Sequence, residues 1–139
     1  MILLDLLKNK IVLICLFTWF VCQLIKFTLH AIGKRKADYG YFYRMVGGEM
    51  PSSHAAVMGA FSTLVYLDQG VSMLFLFAGL MTAIVSYDAI AFRRPIGHHA
   101  VILNTLSRPK VKLEHRIGHE PTEVIVGLIL GIALALILS

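Results

Sequence analysis

The chain is 139 residues long, 58% hydrophobic and only 15% charged, with a mean hydropathy of +0.76. Soluble domains carry roughly 25% charge and about 45–50% apolar residues, so this balance places the chain in a membrane and excludes a disordered segment, a collagen-like repeat and a disulfide scaffold. The formal charge of +5 suits nucleic acid, anionic lipid or a phosphate substrate, and the positions of the charges decide among them.

Four apolar segments follow one another at 11–31, 53–67, 71–92 and 121–139. At 1.5 Å per residue the first and third reach about 30 Å, the fourth slightly less, and the second only about 22 Å. Cys15 and Cys22 lie seven residues apart on one face of the first segment and read as packing residues, in neither a disulfide nor a metal motif. Met1 to Leu7 is apolar before the first lysine, the reverse of the basic-then-apolar order, so the segment is expected to be retained and not cleaved as a signal peptide. Asp68-Gln69-Gly70 is a tight turn that folds the second and third segments into an antiparallel hairpin.

Two polar connections, 32–51 and 93–120, then fall on one membrane face. They hold Lys34, Arg35, Lys36, Arg44, Arg93, Arg94, Arg108, Lys110, Lys112 and Arg116, against Lys8 and Lys10 on the other. The positive-inside rule makes the polar-loop face cytoplasmic, with both termini outside. Few aromatics interleave with these cations, which argues against nucleic acid as a partner. The expected architecture is a single domain over 1–139: an all-α integral membrane protein, a compact bundle of about four transmembrane helices with the two polar connections on one face. A short interfacial helix is expected within 97–106.

The informative residues are ionisable groups inside or at the mouth of apolar segments, where burying a charge costs roughly 2.5–3.5 kcal/mol on insertion scales. Lys26 and His30 are four apart near the end of the first segment. Asp88 lies five residues before Arg93 and Arg94. His119 and Glu123 are four apart around Pro121, which suits the first turn of the fourth segment. Gly47-Gly48-Glu49-Met50-Pro51-Ser52-Ser53-His54 opens the second segment with glycines for close approach, a serine placed to cap the helix, and unpaired amides that favour an anion. Simpler readings stand beside these: Lys26 snorkelling to the interface, Asp88 pairing with an arginine, Asn104 satisfying a loop backbone, and Tyr39 to Tyr43 forming an interfacial belt. Several histidines invite a metal site, but no cysteine spacing supports it, so no metal is expected.

Two histidines, several cations and a carboxylate suit phosphomonoester cleavage through a phosphohistidine. His119 with Glu123 fits nucleophile and orienter, His54 the general acid, and Lys26, Arg93 and Arg94 a phosphate clamp. These residues resemble the divergent branch of the type-2 phosphatidic acid phosphatase superfamily, which also contains the vanadium-dependent haloperoxidases. Pro51-Ser52-Ser53-His54 is similar to its Pro-Ser-Gly-His motif, and His119 with Glu123 is similar to the end of its His- and Asp-containing motif. The resemblance runs from Gln23 to Val124, with Glu49 as an extra residue beside the second motif.

It implies a membrane lipid-phosphate phosphatase with no cofactor. Its catalytic residues would be His54, His119 and Glu123, with Lys26, Ser52, Ser53, Arg93 and Arg94 on the phosphate and Asp88 and Asn104 in support. The expected partners are a lipid phosphate substrate, the bilayer and a second copy in a homodimer that shields the site. The alternative is a non-catalytic membrane protein whose basic face binds anionic head groups or a partner, which needs neither His54 nor His119.

Overall fold

The computed structural model describes residues 8–34, 49–106, 113, 115 and 117–139. Gly47, Gly48, the aromatic run at 39–43 and seven of the ten loop cations (Arg35, Lys36, Arg44, Arg108, Lys110, Lys112 and Arg116) lie outside the described residues. The elements are α1 (Lys10–Lys34), α2 (Ser53–Gln69), α3 (Met73–Asp88), a π-helical turn (Ala89–Arg93), α4 (Arg94–Leu106) and α5 (Pro121–Leu138). Among the described residues there is no strand, and the chain is an all-α integral membrane bundle.

Among the described residues three stretches are long and apolar enough to cross a membrane: Lys10–Ile32, Met73–Leu106 and Pro121–Leu138. The helix expected within 97–106 is present, but it starts at Arg94 and continues directly from the third apolar segment, where a polar connection was expected from residue 93. Pro95 accounts for the junction. It has no N–H to give the carbonyl four residues back and its ring crowds that carbonyl, so a widened π turn carries the helix past it.

α2 is 17 residues and about 25 Å long, two residues more than the apolar pattern suggested. It forms the centre of the bundle and packs on α5, α3 and α1. Its buried face is built from Ser53, Ala55, Ala56, Gly59, Ala60, Leu64 and Val65, mostly small residues. Facing it, Gly127, Gly131 and Ala135 recur every fourth residue on the buried side of α5. Lipid tails are as apolar as leucine, so helices in a bilayer associate through close backbone approach and dispersion, which small residues permit. The approach here is backbone to backbone: a Cβ on Gly131 would overlap the Ala56 carbonyl, and one on Gly127 would overlap that of Ser52.

Elsewhere α2 is held more conventionally. Ile14 of α1 joins Ala60, Leu64 and Ala135 in an apolar cluster with Cys15 against it, and Cys22 is fully buried, so both cysteines pack as expected. Ser62 and Thr82 share a 2.8 Å hydrogen bond between α2 and α3. The hairpin turn closes at Gly70, whose φ of 64° is costly for any other residue type and whose N–H donates to the Tyr66 carbonyl at 2.8 Å. Ser72 then caps α3 by accepting the Phe75 amide at 3.2 Å.

The ends of the bundle sort into two faces. Lys10 donates from Nζ to the Ser139 carbonyl at 2.8 Å, joining the start of α1 to the end of α5 on the face that also holds the hairpin turn. The opposite face therefore collects the end of α1, the start of α2, the end of α3 and the start of α5. Those four ends carry Lys26, His54, Asp88 and His119.

Candidate functional site

His119 is the centre of this face. It precedes α5, is only 4% exposed, and its Nδ1 lies 3.0 Å from Glu123 Oε2 one turn into the helix. The same carboxylate oxygen accepts the Glu120 amide at 3.0 Å, the return half of a capping box, so Glu123 is fixed from two sides. Burial pushes the His119 pKa below its ordinary value, and the Lys26 charge adds to this while the Glu123 hydrogen bond opposes it. Burial thus favours the neutral imidazole, and among the described residues no hydrogen bond occupies Nε2.

The loop that carries His119 is clamped onto the π turn. Its backbone N–H donates to the Ala89 carbonyl at 3.0 Å, a carbonyl made available where the π turn loosens the regular ladder. Gly118, at φ 88°, lies flat against the peptide between Arg93 and Arg94, and a Cβ there would overlap its atoms. Gly97 gives the same loop room one turn further along α4, where a Cβ would meet the His115 and Ile117 carbonyls at 2.6 and 2.8 Å. These contacts set Arg93 and Arg94 beside the histidine loop.

Gly118→Ala tests this clamp. The left-handed backbone costs about 1–2 kcal/mol for a residue with a Cβ, and forcing the Arg93–Arg94 peptide aside about 1–3 kcal/mol more. The variant is expected to unfold at clearly lower temperature in detergent, whereas Gly79→Ala, which meets open space, should not. Equal melting of the two variants would contradict the clamp.

The second histidine arrives through the start of α2. Ser52 is fully buried, and its N–H donates to the Glu123 carbonyl at 3.0 Å, which docks Pro51-Ser52-Ser53-His54 directly on the first turn of α5. His54 is exposed, within electrostatic range of His119, Lys26, Arg93 and Asp88. Ser52 occupies the N-cap position, but its hydroxyl makes no capping bond. It is a buried oxygen without a hydrogen-bond partner among the described residues, which corrects the expectation that a serine here caps the helix.

Lys26 is only 6% exposed, so it lies inside the bundle and does not snorkel to the interface. Glu49 and Glu123 are the carboxylates within range of its charge. Glu49, the extra residue beside the second motif, faces His30 at 4.0 Å, one helical turn beyond Lys26 on α1. Arg93 pairs with Asp88 through Nε and Oδ2, and Arg94 with Glu120 at 3.3 Å, all four side chains being partly or largely open to solvent.

The structure thus brings together Lys26, Ser52, Ser53, His54, His119 and Glu123, with Arg93 and Asp88 at their rim and Arg94 turned to Glu120. Asn104 stands apart. Its amide exchanges two 2.8 Å hydrogen bonds with the Leu113 backbone, about 15 Å along α4 from Arg94, and so ties Leu113 to that helix. His98 and His99 are exposed on α4. Among the described residues no three His, Cys, Asp or Glu side chains cluster to hold a metal ion.

The family model described as Divergent PAP2 family matches residues 7–134. The chain belongs to this family. Among curated proteins it is similar to the Bacillus subtilis (strain 168) protein named "Uncharacterized membrane protein YuiD", 34% identical over 155 residues that cover 97% of each chain. No solved structure matches. The matched span runs from before α1 into α5 of the divergent PAP2 bundle, and so takes in all of the residues gathered around His119.

Several positioning residues of this divergent PAP2 site escaped sequence reasoning. Gly118, Gly97 and the Ala89 carbonyl act only through backbone contacts between distant segments. Gly127 and Gly131 did carry a signal, a Gly-x-x-x-Gly spacing in an apolar helix, which marks a packing seam.

Proposed function

We propose that this divergent PAP2 protein is a phosphatase that removes the terminal phosphate from a membrane lipid. The observation that carries this reading is the buried His119–Glu123 pair at 3.0 Å, with Lys26 and His54 within electrostatic range of the same imidazole. His119 Nε2 attacks phosphorus, and the bond from phosphorus to the lipid oxygen breaks. His54 supplies the proton that the leaving alcohol takes. Glu123 holds the Nδ1 proton and stabilises the charge that the ring gains. Water then attacks the phosphohistidine, with His54 taking its proton, and inorganic phosphate leaves.

Lys26 and the arginines offset the charge on the non-bridging oxygens, and Ser52 and the first amides of α2 supply hydrogen bonds. Arg93 and Arg94 exchange their carboxylate partners for phosphate when substrate arrives. The basic bias of the two polar connections supports a site facing the cytoplasm, where lipid phosphates are made.

Phosphate release from a panel of lipid phosphates by the purified protein in detergent tests the reading. Binding of anionic vesicles without hydrolysis of any member would favour the non-catalytic alternative. The pH profile adds a sign. Burial lowers the His119 pKa, so the acid limb of kcat/KM is expected below the usual imidazole value of about 6.5. The hydrogen bond to Glu123 raises that pKa, so Glu123→Gln should move the limb further down while lowering kcat by about 10²–10⁴-fold. A limb that moves upward would remove Glu123 from its role as orienter.

A further inference from the structure

Thr18, Gln23 and Lys26 are polar side chains buried on α1. Thr18 returns its hydroxyl to the Ile14 carbonyl at 2.8 Å, and Lys26 has the Glu123 carboxylate within range of its charge. Gln23 is 6% exposed, and its Oε1 has no hydrogen-bond partner among the described residues. A buried acceptor left without a donor is costly, so its presence in a packed face calls for a reason.

Its position supplies one. Ile14 of α1 packs beside Ala60 of the antiparallel α2. From that contact Gln23 lies about 14 Å toward the face that carries His119, and Ser53 and His54 lie about 11 and 9 Å toward it. Helical side chains lean toward their own N-terminus, so Gln23 leans back from that face, His54 leans toward it, and the two reach a common depth. Gln23 also stands one turn after Trp19 and one turn before Lys26 on α1. Trp19 shares a cleft wall with Ser53 and His54, and Lys26 is within electrostatic range of His54. The orphan oxygen is therefore set on the His54 side of the site. Other groups there either donate or are already engaged: Lys26 and the first amides of α2 only give hydrogen bonds, Glu123 holds His119 and the Glu120 amide, and Asp88 holds Arg93. Gln23 Oε1 suits a ligand atom that brings its own proton.

We propose that Gln23 Oε1 holds the water that hydrolyses the phosphohistidine. The inference rests on the phosphatase reading and adds a catalytic residue to its second step. The water oxygen attacks phosphorus as the bond from phosphorus to His119 Nε2 breaks, and that electron pair returns to the ring. One water proton passes to His54. The other, hydrogen-bonded to Gln23, stays on the new phosphate oxygen. With both protons held, the lone pair of the water is aimed at phosphorus, the service that a side-chain amide gives the attacking water at other phosphoryl-transfer sites. The first step, in which the lipid alcohol leaves, uses no water and needs no acceptor at this place.

Gln23→Met keeps the length of the side chain and removes the amide, and rapid-quench kinetics with radiolabelled phosphatidic acid in detergent separate the two steps. Diacylglycerol is expected to appear at the wild-type rate in a burst that matches the protein present. Steady-state phosphate release should then fall about 10²-fold, with an acid-labile phosphohistidine accumulating on His119. Equal slowing of both steps, or steady-state release within about twofold of wild type, would overturn the proposal. Melting guards against a merely structural role. Replacing an unpartnered buried polar group by an apolar one of similar shape is neutral or stabilising, so Gln23→Met should melt no lower than wild type. A clear fall in melting temperature would mean that the amide is already engaged in the fold, and would overturn the assignment. A wild-type protein that forms no phosphohistidine from any lipid phosphate defeats the phosphatase reading itself, whereas equal slowing of both steps in a protein that turns over defeats the Gln23 assignment alone.

Discussion

Replacing His119 with alanine is expected to abolish phosphate release, lowering kcat by roughly 10⁴-fold or more while leaving the fold intact. The size of the effect follows from the loss of the proposed nucleophile. His119 is a buried imidazole whose Nδ1 is engaged by the Glu123 carboxylate, leaving Nε2 as nucleophile, whereas His54 is exposed and at the other end of the proposed proton transfer. Removing the ring also takes from the Glu123 carboxylate, beside Lys26, one of its two hydrogen-bond partners. The Glu120 amide still holds that carboxylate, so the first turn of α5 should persist and melting should change little.

His54→Ala gives a second view of the same chemistry, because loss of a general acid slows a poor leaving group more than a good one. Phosphate esters of acidic alcohols should therefore recover activity in His54→Ala and not in His119→Ala. Full activity of His119→Ala on any lipid phosphate would end the phosphohistidine scheme.

The second large effect is on the bundle itself. Gly131→Leu is expected to cost at least about 3 kcal/mol, a large part of the 5–15 kcal/mol that holds an ordinary domain together. Even one carbon at this position would overlap the Ala56 carbonyl, and no rotamer relieves a clash made by Cβ. α2 and α5 must then separate along their seam. Ala56 lies one turn from Ser52, whose N–H holds the Glu123 carbonyl, so the separation also draws His54 away from His119. Gly131→Ala should show the same defect more mildly. Gly79→Leu, placed where a Cβ meets nothing within 4 Å, serves as the control. Thermal unfolding and size-exclusion profiles in detergent read the result, and a Gly131→Leu protein as stable as the control would remove the α2–α5 seam from the account.

The fold was legible to the degree that it depends on composition and period. Long apolar runs, one Asp-Gln-Gly turn and a proline after a histidine predict the spans, the hairpin and the start of α5 close to where they lie. The helix expected within 97–106 is present as part of α4, but its continuity with α3 was not legible, because Arg93-Arg94-Pro95 reads locally as the end of a span. The helix continues because the π turn accommodates Pro95 and because the loop at 117–119 packs over it. The serine at the start of α2 misled for a related reason. Its local preference is to cap, but its backbone is already committed to α5, a contact between residues about seventy positions apart.

The sequence by itself determined that this chain crosses a membrane, and which few ionisable residues sit where lipid would otherwise be. Hydropathy and helical spacing suffice for this, since both are local properties of the chain. Only the tertiary structure decided how those residues meet. Lys26 turns inward, Arg93 takes Asp88, Glu49 faces His30, and Asn104 serves the backbone of Leu113. Each outcome depends on which backbone lies against which. That is settled by glycines at 97, 118, 127 and 131, whose meaning is the atom they allow to approach and not the residue beside them in the chain.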